Sequence, residues 1–115
     1  MSTMMHAARA YQTATTHRSQ REQEADVFRH TIGALSSARN AGAIPRLRAL
    51  ADNRRLWVTV NDLMHDPESG LPRELRASIV SVGLAVQREM DLERPNFGFL
   101  IEINQTIVEG LSEPR

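Results

Sequence analysis

The sequence contains no cysteine, and aromatic residues make up only 4% of it. Without cysteine the chain can form no disulfide framework, no thiolate metal site and no cysteine nucleophile. The scarcity of aromatic residues predicts a core built mainly from aliphatic side chains. No segment approaches the roughly 18 apolar residues of a membrane-spanning helix, and the first residues lack the hydrophobic region of a signal peptide. We therefore expect a cytoplasmic protein that does not insert into a membrane.

Lysine is also absent, and the 14 arginines are balanced by 14 acidic residues. A chain without net charge has no bulk attraction toward nucleic acids or anionic membranes, so DNA is not an expected partner. There is little aromatic interleaving that could stack on single-stranded RNA. We therefore favour other partners over RNA, although the sequence has one basic cluster, formed by Arg46, Arg48, Arg54 and Arg55.

Side chains that could carry catalysis or hold a metal ion are scattered along the chain. The four histidines fall on different predicted elements without ligand spacing, and neither an HExxH motif nor a glycine-rich phosphate loop occurs. We expect no catalytic residues, no cofactor and no metal site. The protein is predicted not to be an enzyme.

The hydrophobic periodicity predicts an all-α fold: a single-domain bundle of four main helices plus a short N-terminal helix, spanning residues 1–115. The first main helix is expected to end near Ala41. The predicted helix boundaries rest on local signals: a capping box at Ser19–Glu22, a left-handed terminus at Gly42, prolines near the first turns at Pro45 and Pro72, and an N-cap at Asn96.

Residues 1–18 form a segment with a weak helical pattern that includes Met4, Ala8 and Tyr11. Termini are often frayed, and a frayed terminus is one interpretation. The alternative is a segment that docks loosely on the body or becomes ordered on a partner. The pattern does not decide between them.

The most informative stretch is Leu47–Met64, which is predicted to be a central helix with little polar surface. Asn53, Arg54 and Asn61 lie within its apolar arc, around the only tryptophan, Trp57. A buried polar group without partners is costly, so these side chains need partners elsewhere. The arc itself consists of Leu47, Leu50, Ala51, Leu56, Trp57, Val58, Val60, Leu63 and Met64.

Candidate partners for these groups lie on the first and last main helices. Arg21 and Glu24 fall on the apolar face of the first helix, and Asn104 lies in the centre of the apolar face of the last. We predict that Glu24 pairs with Arg54, directly or through one of the embedded Asn residues, because each is a charge on an apolar face. A buried Asn such as Asn104 typically fixes register by bonding another buried polar group. The predicted structural polar core comprises Arg21, Glu24, Asn53, Arg54, Asn61 and Asn104, with Trp57.

A second apolar strip lies on the third helix, away from its main face. Val80 and Leu84 form this strip, and Arg76 flanks it. Either the N-terminal segment covers the strip, or the strip is a small docking patch for a partner. The predicted partner-binding residues are accordingly Met4, Tyr11, Arg76, Val80 and Leu84.

Several motifs recur together in a known order and spacing, and through them the chain resembles the FlaF family of flagellar biosynthesis regulators. The likeness covers about residues 8–112, and its most specific parts are the segment NRRLW and the segment LIEIN with the EGL that follows it. The motifs are Tyr11, Arg21 with Glu24, the run from Asn53 to Trp57, Leu71-Pro72 followed by Leu75-Arg76, and Ile103-Asn104 with Gly110-Leu111.

The resemblance implies a small cytoplasmic protein that is needed for flagellin production and export. It would act after transcription and in opposition to FlbT, which restrains flagellin mRNA. Two functions remain open: a chaperone or secretion adaptor that binds flagellin, or an RNA-level regulator that acts on flagellin mRNA directly or through FlbT. The resemblance supplies no binding residues.

Overall fold

The computed structural model describes residue 8 and residues 22–112 of the chain. Over these residues the predicted all-α fold is confirmed, with four helices and no strand. The predicted N-terminal helix with Met4 and Tyr11 lies outside the described residues, apart from Ala8, which is helical. The helices are α1 (residues 22–38), α2 (Ala43–Met64), α3 (Arg73–Met90) and α4 (Phe97–Ser112).

Among the predicted boundary signals, the N-cap of α4 is confirmed and the role of Gly42 is not. Asn96 caps α4, since its Oδ1 accepts a 3.1 Å hydrogen bond from the Phe99 backbone N–H. The predicted role of Gly42 is wrong. Its φ of −71° and ψ of −179° are extended, because α2 already starts at Ala43 and the Gly42 carbonyl accepts a hydrogen bond from the Arg46 N–H. Helix α1 ends at residue 38, before the predicted end near Ala41.

The contacts between helices define an up-and-down four-helix arrangement. Asn53 and Trp57 of α2 meet Met90 and Gly83 of α3 in reverse order, so these two helices are antiparallel. The Asn53 side chain also contacts that of Asn104 in α4. The chain reverses direction at three short connections, residues 39–42, 65–72 and 91–96.

Trp57 lies at the centre of the core and is only 5% exposed. Its indole meets the ring of Phe28 in α1 edge to face, with the centroids 6.2 Å apart. A Cβ atom at Gly83 in α3 would lie 3.4 Å from Trp57 Cε3, so the indole packs against α3 where no side chain intervenes. The indole N–H donates a 2.9 Å hydrogen bond to Asn104 Oδ1 in α4. One side chain of α2 thus contacts all three other helices.

The predicted apolar arc of α2 is wrong in its extent. The residues of α2 that are buried form a narrower stripe: Ala49, Asn53, Leu56 and Trp57. Leu47, Val58 and Leu63 are exposed. The reason is geometric: the neighbouring helices cover only one sector of α2, and Asn53, which bonds into the core, lies in the middle of that sector. Apolar residues on the flanks of this sector remain in contact with solvent.

The Trp57 indole and the side-chain amides of Asn104 and Asn53 form a continuous buried chain of hydrogen bonds. After the bond from Trp57, Asn104 Nδ2 donates to Asn53 Oδ1 at 2.8 Å. Asn53 Nδ2 then donates to Met90 Sδ in α3 at 3.2 Å. Both asparagines are fully buried. Because an unpaired buried polar group costs about 1–3 kcal/mol, this chain of hydrogen bonds specifies how α2, α3 and α4 align.

Replacing Trp57 with Ala removes the contacts that the indole makes with α1, α3 and α4. We expect Trp57→Ala to lower the free energy of unfolding by about 3–5 kcal/mol, measured by urea denaturation with circular dichroism. In the wild-type protein the indole emission should shift to longer wavelength on unfolding. Folded protein with the emission of a fully hydrated indole would show that Trp57 is not buried in solution.

Replacing Asn104 with Ala strands the indole N–H of Trp57 and Oδ1 of Asn53 at once. Since each stranded group costs about 1–3 kcal/mol, we expect Asn104→Ala to destabilise the protein by at least about 2 kcal/mol. Asn61→Ala is the matched control, because Asn61 lies on the exposed side of α2, and should change stability by less than about 0.5 kcal/mol.

A double-mutant cycle tests the contact between the two asparagines. It compares Asn53→Ala and Asn104→Ala with the double variant Asn53→Ala/Asn104→Ala. We expect a coupling energy of about 0.5–3 kcal/mol between the two asparagines. Strictly additive effects in urea denaturation would mean that the two amides do not interact in solution.

Candidate partner-binding surface

The described residues hold no cluster that points to metal or membrane chemistry. Residues 22–112 contain no group of three His, Asp or Glu side chains placed to hold a metal ion. None of the described helices is long and apolar enough to cross a membrane. An open groove of about 380 Å³ between α1 and α4 is lined by Arg29, Ile32, Gln105, Val108 and Glu109.

The predicted polar core is only partly correct, because three of its members that the structure describes are not buried. Glu24 lies on the exposed side of α1, and Arg54 and Asn61 are exposed on α2. Arg21 lies outside the described residues. The predicted polar members that are buried are the neutral amides of Asn53 and Asn104, which form hydrogen bonds within the core without the cost of burying a charge.

The predicted pairing of Glu24 with Arg54 is wrong. Arg54 Nη1 lies 3.1 Å from Asp91 Oδ1, just after the end of α3. These side chains are 46% and 57% exposed, so water screens the pair and its contribution is below about 1 kcal/mol. The ion pair shows, however, that the flank of α2 that carries Arg54 lies beside α3.

The five predicted partner-binding residues divide into two groups. Met4 and Tyr11 lie outside the described residues, and the remaining three lie on α3. Leu84 is 55% exposed, and Val80 and Arg76 are half-buried. Arg76 Nε is buried and has no hydrogen-bond partner among the described residues. The side chains of α3 that face the core, among them the buried Val86 and Met90, lie on another face of the helix.

The predicted partner-binding residues do not include an exposed apolar side chain of α2. Val58 is 57% exposed and follows Trp57 directly, whereas Leu84 directly follows Gly83, the residue against which Trp57 packs. The two exposed side chains are therefore at the same level of the antiparallel pair. The sequence alone places Val58 in the core, since only the hydrogen bonds of Asn53 show which sector of α2 faces inward.

Comparison with known proteins identifies the family of this helical chain. The family model described as "Flagellar protein FlaF" matches residues 7–111. Neither a curated protein nor a solved structure matches the chain. The matched span includes all of α2 and α3, the buried asparagines and the exposed strip on α3. Because the family model covers most of the sequence, the chain belongs to the FlaF family of flagellar proteins.

Proposed function

We propose that this protein binds flagellin in the cytoplasm as a chaperone or secretion adaptor, and that it promotes flagellin synthesis and export without acting as an enzyme. Membership in a flagellar protein family supplies the context. The observation that carries the proposal is the exposure of Leu84 on α3. This large apolar side chain, next to the half-buried Val80, lies outside the core.

Flagellin offers a ligand of suitable chemistry, because its terminal segments are amphipathic helices. Such helices bind by laying an apolar stripe along a groove between two helices of the partner. Burying one exposed leucine or valine side chain contributes about 1.5–3 kcal/mol. A few such contacts suffice for a transient complex that releases flagellin to the export machinery.

In this proposal, the effect on flagellin synthesis is a consequence of flagellin binding. Removal of free flagellin by the chaperone would relieve the restraint that FlbT exerts on flagellin mRNA, with or without contact between FlbT and this protein. The alternative is direct action on the mRNA. The two differ in salt dependence, because burial of apolar surface is not screened by salt, whereas binding to phosphates weakens steeply with it.

The test is size-exclusion chromatography of the full chain with purified flagellin of the same bacterium, at about 0.1 M and 1 M salt. We expect the two proteins to elute together at both concentrations, since apolar contacts are not screened. The leader of flagellin mRNA and purified FlbT are run as separate arms. Separate elution from flagellin, together with RNA binding that is lost at high salt, would contradict the proposal and support RNA-level regulation.

A further inference from the structure

The outer side of the α2–α3 pair carries an apolar patch that spans both helices. We call this surface the α2–α3 face and define it by Val58, Val80 and Leu84. Two contacts align it: Trp57 against Gly83 and Arg54 with Asp91. Single exposed apolar residues are normal, but exposed apolar side chains at one level of two packed helices are typical of an interaction site.

Positively charged side chains outnumber carboxylates around this face. Arg55 lies one turn before Val58, and Arg88 lies one turn after Leu84; both are exposed. Among the described residues neither forms a salt bridge, since the ion pairs there are Arg29 with Asp26 and Arg54 with Asp91.

The carboxylates near the face do not balance these arginines. Asp62, one turn after Val58, is the acidic residue on this side of α2, and Asp91 is engaged by Arg54. On α3, Arg76 precedes Val80 by one turn, while Glu74 and Glu89 point to other sides of the helix by their spacing. The apolar patch therefore has a positively charged border.

We propose that the α2–α3 face binds an amphipathic helix whose apolar stripe is bordered by carboxylates. This inference rests on the proposed function and specifies the chemistry of the bound segment. The apolar stripe covers Val58, Val80 and Leu84. Arg55 and Arg88 bind the flanking carboxylates, for which the planar guanidinium provides paired donors.

Charge also favours a separate acidic helix over two other occupants of this face, a second copy of the chain and the chain's own residues 1–21. A second copy of the chain would bring a second face with an arginine border against the first, and like charges there are unfavourable. The chain's own residues 1–21 contain three arginines, Arg9, Arg18 and Arg21, and no acidic residue. That segment repeats the charge of the face, so a separate acidic helix fits better.

The experiment measures binding of two synthetic helical peptides to the full chain by fluorescence anisotropy. Both peptides have about five helical turns and the same leucine stripe; one is bordered by Glu and the other by Lys. The protein variants are Leu84→Glu and Arg88→Glu. Val27→Glu is the matched control, because Val27 is equally exposed but lies on α1. Thermal melting monitored by circular dichroism establishes that each variant is folded.

We expect the wild-type protein to bind the Glu-bordered peptide at least about tenfold more tightly than the Lys-bordered one. Leu84→Glu and Arg88→Glu should each weaken this binding by about tenfold, and Val27→Glu should leave it unchanged. Arg88→Glu should also improve binding of the Lys-bordered peptide. Equal affinity for both peptides, or unchanged affinity in both folded variants, would overturn the inference. So would a wild-type dimer that Leu84→Glu dissociates.

Flagellin binding by the same variants separates the inference from the proposed function. If flagellin binds wild-type protein and both variants equally, the proposed function stands and the α2–α3 face is not the site. If the Glu-bordered peptide binds as expected but flagellin does not, the face is a docking site and the flagellin proposal fails.

Discussion

The structure depends on a constraint imposed by the Trp57 indole, whose N–H can donate a hydrogen bond but cannot accept one. Asn104 must therefore present its oxygen to Trp57 and its amide nitrogen to Asn53. Asn53 in turn receives that bond on its oxygen and has its own nitrogen left to donate to Met90 Sδ. The orientation of the two buried asparagine amides follows from one donor, and the resulting chain of hydrogen bonds joins three helices. A slip of α4 by one residue would rotate Asn104 away and strand both of its partners.

The same constraint explains why apolar side chains of α2 and α3 lie outside the core. With Asn53 directed inward, Val58 lies outside the core, one turn after Arg54 on the flank beside α3. Gly83 brings the α3 backbone against the indole, and the next residue, Leu84, is then on the outer side. Core and surface are thus coupled: the polar interactions that align the bundle also determine which apolar side chains a partner can reach.

Sequence patterns predicted those parts of the fold that are set locally. Asn96 was recognisable as an N-cap from its position before an apolar run, and the buried face of α4 from its clean periodicity. The orientation of α2 was not predictable in this way, because its apolar residues extend over more than half of the circumference and allow several inward faces. Arg54 and Asn61 were therefore assigned to the core, and Val58 was not recognised as a surface residue. Only contacts between distant residues, such as that of Asn53 with Asn104, decide among these faces.

The central claim is that the Trp57 indole N–H is buried and bonded to Asn104, and hydrogen exchange of that single proton tests it most directly. Since the chain has one tryptophan, its indole resonance in a ¹H–¹⁵N spectrum is unambiguous. The account predicts that the proton exchanges only through global unfolding, as the most protected backbone amides do, and that Asn104→Ala removes much of this protection. Exchange of the indole N–H in the wild-type protein at the rate of free tryptophan would contradict the account.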